Sequence, residues 1–530
     1  MPTGAAGRGG GARHAAQVAT GIFLTRVLGY VRERVFAYYF GNDTIPADAF
    51  RAALRIPNFV RTLLGEGTLL ASFIPVYATF NERPDKGPAR ALAGAILGLL
   101  LLAAGVLALL GIALAPAITT LIAKGFDEPR RQLTITLVRI LFPMTGLMVI
   151  SAWCLGVLNT HRRFFLPYAA PALWNVAGIV AMLAAGTWFV NRTLPIEAQL
   201  HRLSLALAWG TVAGSVLQIA VQLPACWRVL GGIPLRFSTA PEGVRNVVAA
   251  WFPLLLGAGV AQVSGLIDTF LGSFTGAGGV SALGYAQLIQ QLPISLFGVS
   301  VTAVSLPELS RDAAGATPND QLRNRIAVGF RRIVFFVVPS SVACIVLSRE
   351  IVAALYQTGR FTAEATTLVG SVLAAYGLGL VGQSTVKLFA SGFYAMRDTR
   401  TPVKIAAFSL VISTSLAWVL MRLLGAPGIA LGSSIGASLS TTLHLRDLNG
   451  RIGSVLRGAD WRAFGATLMA GAAAGGAAFG ASRLTVTLGP VPRRALVLSI
   501  FGIVYAAATL ALKHPDAVRT WQSLTTSRAS

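Results

Sequence analysis

Apolar runs of about 20 residues recur along the chain, separated by short stretches rich in charge, glycine and proline. A run of that length crosses a hydrocarbon core about 30 Å thick as one helix. In lipid, a helix satisfies every backbone group within its own segment. The pattern predicts about fourteen spans, near residues 16–40, 47–79, 90–115, 133–157, 167–190, 203–226, 246–272, 280–309, 328–355, 364–394, 402–423, 427–445, 463–482 and 492–512. The first two are the least hydrophobic. The expected fold class is an all-α integral membrane protein.

The chain also repeats itself. Gly156-Val157-Leu158-Asn159-Thr160-His161-Arg162-Arg163 leads to Pro167, as Gly392-Phe393-Tyr394-Ala395-Met396-Arg397-Asp398-Thr399-Arg400 leads to Pro402. Gly210-Thr211-Val212-Ala213-Gly214 matches Gly432-Ser433-Ser434-Ile435-Gly436 more weakly. The offset covers six spans, so the copies have the same orientation and form a parallel repeat. Two six-helix bundles are expected, at 16–228 and 244–448, facing a central cavity as in many transporters. Two extra helices follow at 461–512, between a basic, disordered tail at 1–15 and a second tail at 513–530.

Composition agrees with that class. Of 530 residues, 54% are hydrophobic and 12% charged, with a mean hydropathy of +0.67; a soluble chain carries about twice that charged fraction. Net charge is +24, from 44 Lys and Arg against 20 Asp and Glu. In a soluble protein that excess would suggest nucleic acid, but here basic loops explain it and no nucleic acid is expected. Arginines and lysines gather in every second loop, for example Arg83, Lys86, Arg162, Arg163, Arg397 and Arg400. Both termini are therefore expected in the cytoplasm. The first apolar run contains arginines and no convincing cleavage site, so no cleavable signal peptide is expected. Cys154, Cys226 and Cys344 have no metal-ligand spacing and read as small hydrophobes.

Charge inside spans changes the picture. Span one holds Arg26, Arg32, Glu33 and Arg34, and span two holds Asp48, Arg51, Arg55, Arg61 and Glu66. Charges at bilayer depth cost about 3 kcal/mol each on insertion scales, so they face water or a partner. Arg51, Arg55 and Asn58 fall within about 60° on one helix face, and Arg26 and Glu33 share a face of span one. Two readings follow. The charges could form internal ion pairs, Arg26 with Glu33 or Asp48 with a neighbouring arginine, locking the helices together. Alternatively the surplus of six arginines over three acids collects an anion, for which phosphate is the natural bidentate guest. Spans two and eight are each interrupted by proline, at Pro57, Pro75, Pro293 and Pro307, as moving helices of transporters often are. Neither an HExxH pattern nor a GxxxxGK[ST] loop occurs, so neither an enzyme nor direct ATP hydrolysis is expected.

Thr25-Arg26-Val27-Leu28-Gly29-Tyr30-Val31-Arg32-Glu33 resembles the first-helix signature of the MurJ/MviN flippases. Asp48-Ala49-Phe50, Ile56-Pro57-Asn58-Phe59-Val60-Arg61, Gly65-Glu66-Gly67 and Phe73-Ile74-Pro75-Val76 are similar to their second helix. Gly392-Phe393-Tyr394-Ala395, Asp398-Thr399 and Thr401-Pro402-Val403-Lys404 resemble the loop before their eleventh helix. The resemblance implies the fold of the multidrug/oligosaccharidyl-lipid/polysaccharide exporter superfamily, in the bacterial cytoplasmic (inner) membrane. It implies a lipid II flippase that moves the undecaprenyl-pyrophosphate-linked peptidoglycan precursor to the periplasmic leaflet. Arg26, Arg32 and Arg61 would be the cavity arginines, Asp48 and Glu66 the important acids, and Asn58 a matching polar position. No cofactor or metal is implied, with coupling to membrane potential or an ion gradient. Implied partners are lipid II, membrane lipids and peptidoglycan synthesis proteins.

The sequence departs from the family twice. An arginine is expected before the proline of helix eight, where Gln287, Gln290 and Gln291 precede Pro293. Asp268 fits a sodium-site acid or a structural acid, but Ser413, Ala417 and Ser440 stand where asparagines are expected. Two alternatives stay open: a flippase for another polyprenyl-linked glycan, or a non-transporting envelope-assembly scaffold.

Overall fold

Long apolar segments become helices here because nothing else pairs their backbone groups in lipid. The computed structural model describes residues 6–65, 67–190, 194–312, 318–485 and 489–518, and shows no strand among them. Glu66 and the outermost residues of both expected tails lie outside the described residues. Ten helices are long and apolar enough to cross a membrane, among the described residues. The four other predicted spans, at 16–40, 246–272, 280–309 and 427–445, are helical too. They carry arginines, breaks or many small polar residues, which lower their hydropathy.

The helices divide into two units, the first formed by Met1–Gly278 with Thr358–Phe361 and the second by the remainder. In the first, α1 (Ala6–Phe40), α2 (Ile45–Leu64), α3 (Thr68–Asn81), α4 (Gly87–Ala113) and α5 (Ala115–Ile122) come before α6 (Glu128–Thr160). Then follow α7 (Phe165–Ala169), α8 (Pro171–Val190), α9 (Ile196–Leu230) and α10 (Val244–Gly272). The core joins α3, α4, α6, α9 and α10 around Phe73, Tyr77, Leu92 and Trp153. Polar side chains add specificity inside it. Ser151 Oγ donates to Gln222 Oε1 at 2.9 Å, and Gln218 Nε2 donates to Ser151 Oγ at 2.7 Å. Such bonds between α6 and α9 satisfy groups that lipid cannot.

The second unit contains α11 (Gly279–Pro293), α12 (Ser300–Asp312), α13 (Pro318–Val346), α14 (Ser348–Tyr356) and α15 (Ala363–Ala395). After them come α16 (Arg400–Leu424), α17 (Ala426–Ile452), α18 (Gly458–Leu484) and α19 (Pro490–Ala511). Small residues let α16 and α17 meet closely. A Cβ on Gly432 would stand 2.6 Å from Ala417 Cα, and one on Gly436 2.3 Å from Ser413 Cβ. With Gly428, these glycines recur every four residues, the spacing that puts small groups on one packing face. The opposite side of α16 is lipid-like, with Val411 63% and Leu423 75% exposed.

Each unit also preserves the sequence repeat in its backbone. α6 ends with Arg162 at φ 57°, its N–H reaching Asn159 O at 3.0 Å, while Arg163 N reaches Leu158 O at 2.8 Å. α15 is followed by Arg397 at φ 61°, with bonds from Arg397 N to Tyr394 O at 3.0 Å and Asp398 N to Phe393 O at 2.9 Å. Both close as left-handed C-terminal caps of the same pattern.

Asp398 then starts α16. Its carboxylate accepts from Arg400 N at 2.9 Å, Thr401 N at 3.0 Å and Thr401 Oγ1 at 2.6 Å, and pairs with Arg451 at 2.7 Å. Hydrogen bonds from Thr401 hold this carboxyl well below the usual range, with Arg451 adding to the effect. Because the folded value is depressed, the stabilisation is complete above the ordinary aspartate value of about 3.9. It is lost as pH falls through the lower folded value. Amide exchange at Arg400 and Thr401, corrected for intrinsic rates, should rise on acidification. Asp398→Asn should raise it already at neutral pH.

Candidate functional site

The charges of span one turn inward at Glu33, which is buried among α1, α2 and α8. Glu33 Oε1 lies 2.7 Å from Arg32 Nη2, and Glu33 Oε2 lies 2.9 Å from Arg51 Nη2. Arg32 lies over the Trp174 ring at 4.3 Å, and Arg51 over Phe36 at 5.1 Å. These aromatic faces add cation–π attraction in a place of little water. A cavity of about 30 Å³ adjoins the trio, room for about one or two waters. The trio carries one net positive charge, so one glutamate shared by two arginines leaves part of their positive field uncompensated.

Arg26 shares the helix face of Glu33 but is exposed, and the carboxylate it was expected to reach is taken by Arg32 and Arg51. The same-helix pair therefore gives way to a bridge between helices. Sequence spacing offered the Arg26–Glu33 pair because it compares positions on one helix only.

Asp48 is fully buried at the start of α2. Its Oδ2 accepts from Gly278 N at 2.8 Å and lies 3.4 Å from Nε of Arg130 at the start of α6. Asn42 Nδ2 donates to Gly278 O at 3.2 Å. Together they tie the turn after α10 to the start of α2, with Thr44 capping that helix. The arginine beside Asp48 thus comes from α6, not from span two. Asp127 caps α6 and also pairs with Arg130.

Further along α2, Arg55 Nε donates to Thr269 Oγ1 of α10 at 3.0 Å. Asp268, the residue before it, is buried in the same unit. Asn58 and Arg61 follow, both half-buried, across the buried Pro57. The helix stops where Gly65 N reaches Arg61 O at 2.9 Å, and Gly67, at φ 84°, begins the turn into α3. That left-handed angle favours glycine. The structure thus gathers Arg32, Glu33 and Arg51 into one cluster and Asp48 into another. Arg26 stays outside both, and Glu66 lies outside the described residues. Arg51, Trp174, Arg130 and Thr269 complete these contacts and were not singled out as site residues.

In the second unit, span eight breaks where the sequence places Pro293. α11 passes into a π-helical turn at Ile294–Val299 before α12 begins; proline lacks the N–H for a regular turn, and such insertions mark moving helices. The amides standing in for the expected arginine face α15. Gln287 Nε2 donates to Tyr376 Oη at 3.0 Å and Gln290 Nε2 to Tyr376 O at 3.4 Å, while Gln291 is exposed. Ser413 and Ala417 lie at the tight α16–α17 approach, where larger asparagines would not fit without moving Gly436 or Gly432. Ser440 lies one turn from His444, whose Nδ1 is 2.7 Å from Ser440 O.

The profile of the family described as "Lipid II flippase MurJ" matches residues 36–496. The chain is 35% identical over 435 residues to the lipid II flippase MurJ of Burkholderia cenocepacia, covering 81% of this chain and 82% of that protein. It is 34% identical to a probable lipid II flippase MurJ of Rhizobium meliloti, covering 79% and 77%. Among solved structures, a lipid II flippase MurJ in an inward closed conformation superposes with a TM-score of 0.77 at 22% identity, over 94% of this chain and 99% of that one. An inward-facing multidrug resistance transporter of the MATE family shares the fold at a TM-score of 0.61 and 17% identity, over 81% of this chain and 95% of that one. The chain, a multi-pass membrane protein with charged first and second spans, belongs to the lipid II flippase MurJ family.

Proposed function

We propose that this protein flips lipid II from the cytoplasmic to the periplasmic leaflet by alternating access, supplying precursor for cell wall synthesis. The observation that carries the reading is its family membership together with the arginine surplus of α1 and α2. Arg26 is exposed, and Arg61 and Asn58 are half-buried on α2, so these three side chains would receive the pyrophosphate. Arg32, held by Glu33, would contribute field more than direct contact. Asp48 anchors α2 through Gly278 and Arg130, and so positions the helix that presents Arg61. Glu66 is assigned to the same site by family likeness.

Both termini would lie in the cytoplasm, as the loop arginines direct. The bundles at 16–228 and 244–448 would exchange access, while the helices at 461–512 would line a groove for the polyprenyl chain. Membrane potential or an ion gradient would set direction, since one elementary charge over 100 mV is worth about 2.3 kcal/mol. Asp268 would be the coupling or structural acid. Peptidoglycan synthesis proteins would be further partners.

A second reading keeps the flippase and changes the glycan. It is favoured by Gln287 and Gln290, which make neutral contacts with Tyr376 where the family carries an arginine. Expression in a bacterium depleted of its own lipid II flippase tests both readings. Growth and a restored outer-leaflet lipid II signal are expected. Correct insertion without rescue would overturn the lipid II reading, and flipping of another polyprenyl pyrophosphate would establish the second.

A further inference from the structure

Within the second unit, the C-terminal end of α18, the start of α19, α14 and the start of α15 surround a cavity of about 610 Å³. Arg349, Arg483, Arg493 and Arg494 line it, against one acid, Glu350. Among the described residues none of these four arginines forms an ion pair. Their hydrogen bonds go to neutral groups. Arg349 Nη2 donates to Thr367 Oγ1 at 2.7 Å, Arg493 Nη2 to Ser482 O at 2.8 Å, and Arg494 to Ala353 O at 3.0 Å and to Gln357. Arg493 Nε is buried with no hydrogen-bond partner among the described residues. A buried guanidinium donor left unmatched is unfavourable, so a missing acceptor is expected there.

The backbone adds to the positive field. α14 begins at this cavity, and no side chain caps its N-terminus. Free N–H groups at a helix start attract oxyanions. On the orientation proposed above, this is the outer end of the helices, where arginines are normally scarce. The rim is apolar: Leu484 is 85% and Val491 74% exposed, and Phe479 and Ile345 belong to the lining.

We propose that this cavity is a phosphate-binding site, separate from the arginines of α1 and α2. Its volume suits a small anionic headgroup, and the exposed Leu484 and Val491 favour a lipid phosphate whose acyl chains stay in the bilayer. A free phosphate or pyrophosphate anion has the same chemistry.

The test uses the full chain in phosphatidylcholine nanodiscs, with either phosphatidylglycerol in the bilayer or inorganic pyrophosphate in solution. Thermal unfolding and the number of retained phosphatidylglycerol molecules, by native mass spectrometry, are the readouts. The unmodified chain should gain stability with one or both probes. The double variant Arg483→Gln/Arg493→Gln should lose at least half of that gain and retain less lipid. Arg446→Gln/Arg462→Gln, which removes equal charge elsewhere, should keep both. A gain with phosphatidylglycerol alone assigns the lipid source, and a gain with pyrophosphate alone assigns the free anion. If the double variant fails to fold, Arg483→Gln alone serves, because its ring contact with Phe479 is exposed. Equal gains in the site variants and the unmodified chain, or no gain in the unmodified chain, would overturn the site. Loss of flipping in Arg26→Ala with phosphatidylglycerol retention intact would separate this site from the proposed transport path.

Discussion

Glu33→Gln is expected to destabilise the protein by about 3–5 kcal/mol, the usual consequence of removing one partner from a buried ion pair. Glu33 is the shared acceptor of Arg32 and Arg51, and their side chains are only 10–18% exposed. Glutamine keeps the shape and one acceptor, but leaves two guanidinium groups facing each other with no counter-charge. Thermal unfolding in detergent should show a large fall in midpoint, together with poor recovery from the membrane. Adding Arg51→Gln to that variant restores the original net charge of the cluster, so part of the lost stability should return. A single variant as stable as the unmodified chain would mean that solvent already screens the trio.

Arg26→Ala and Arg61→Ala are expected to act in the opposite way, sparing the fold and removing transport. Arg26 is exposed, and its removal leaves no buried carboxylate unmatched. A hydrogen bond to a charged group contributes about 1.5–3 kcal/mol. Flipping by Arg26→Ala should therefore fall about ten- to hundred-fold, and Arg61→Ala should fall similarly. The measurement is outer-leaflet lipid II in the complemented strain, with membrane abundance and thermal midpoint recorded in parallel. Unchanged flipping at normal abundance would place the pyrophosphate elsewhere. The contrast with Glu33 separates a residue that binds from one that holds the helices together.

Much of the fold was legible in the sequence. Hydropathy located a helix at each predicted span because an apolar helix in lipid has no alternative way to satisfy its backbone. The repeat was legible as well, and the structure adds that both copies close with a left-handed residue, at Arg162 and Arg397. The break at Pro293 was also visible, since proline limits the backbone locally, whereas the helices run on through Pro57, Pro75 and Pro307. Less visible were the weakly hydropathic spans, where function puts arginine and serine into helices that tertiary packing must then shelter.

The charged character of spans one and two, their arginine surplus and their candidate anion were determined by the sequence alone. Residue type sets charge, and charge in lipid demands a partner wherever it lies. Which partner each charge takes was decided by the tertiary structure. Helical spacing offered Arg26 as a partner for Glu33. The packed helices instead bring Arg51 of α2 to Glu33 and Arg130 of α6 to Asp48. The physical reason is that ion-pair energies at depth depend on separation and burial over a few ångströms. Those distances are set between helices far apart in sequence, and no single-helix pattern contains them.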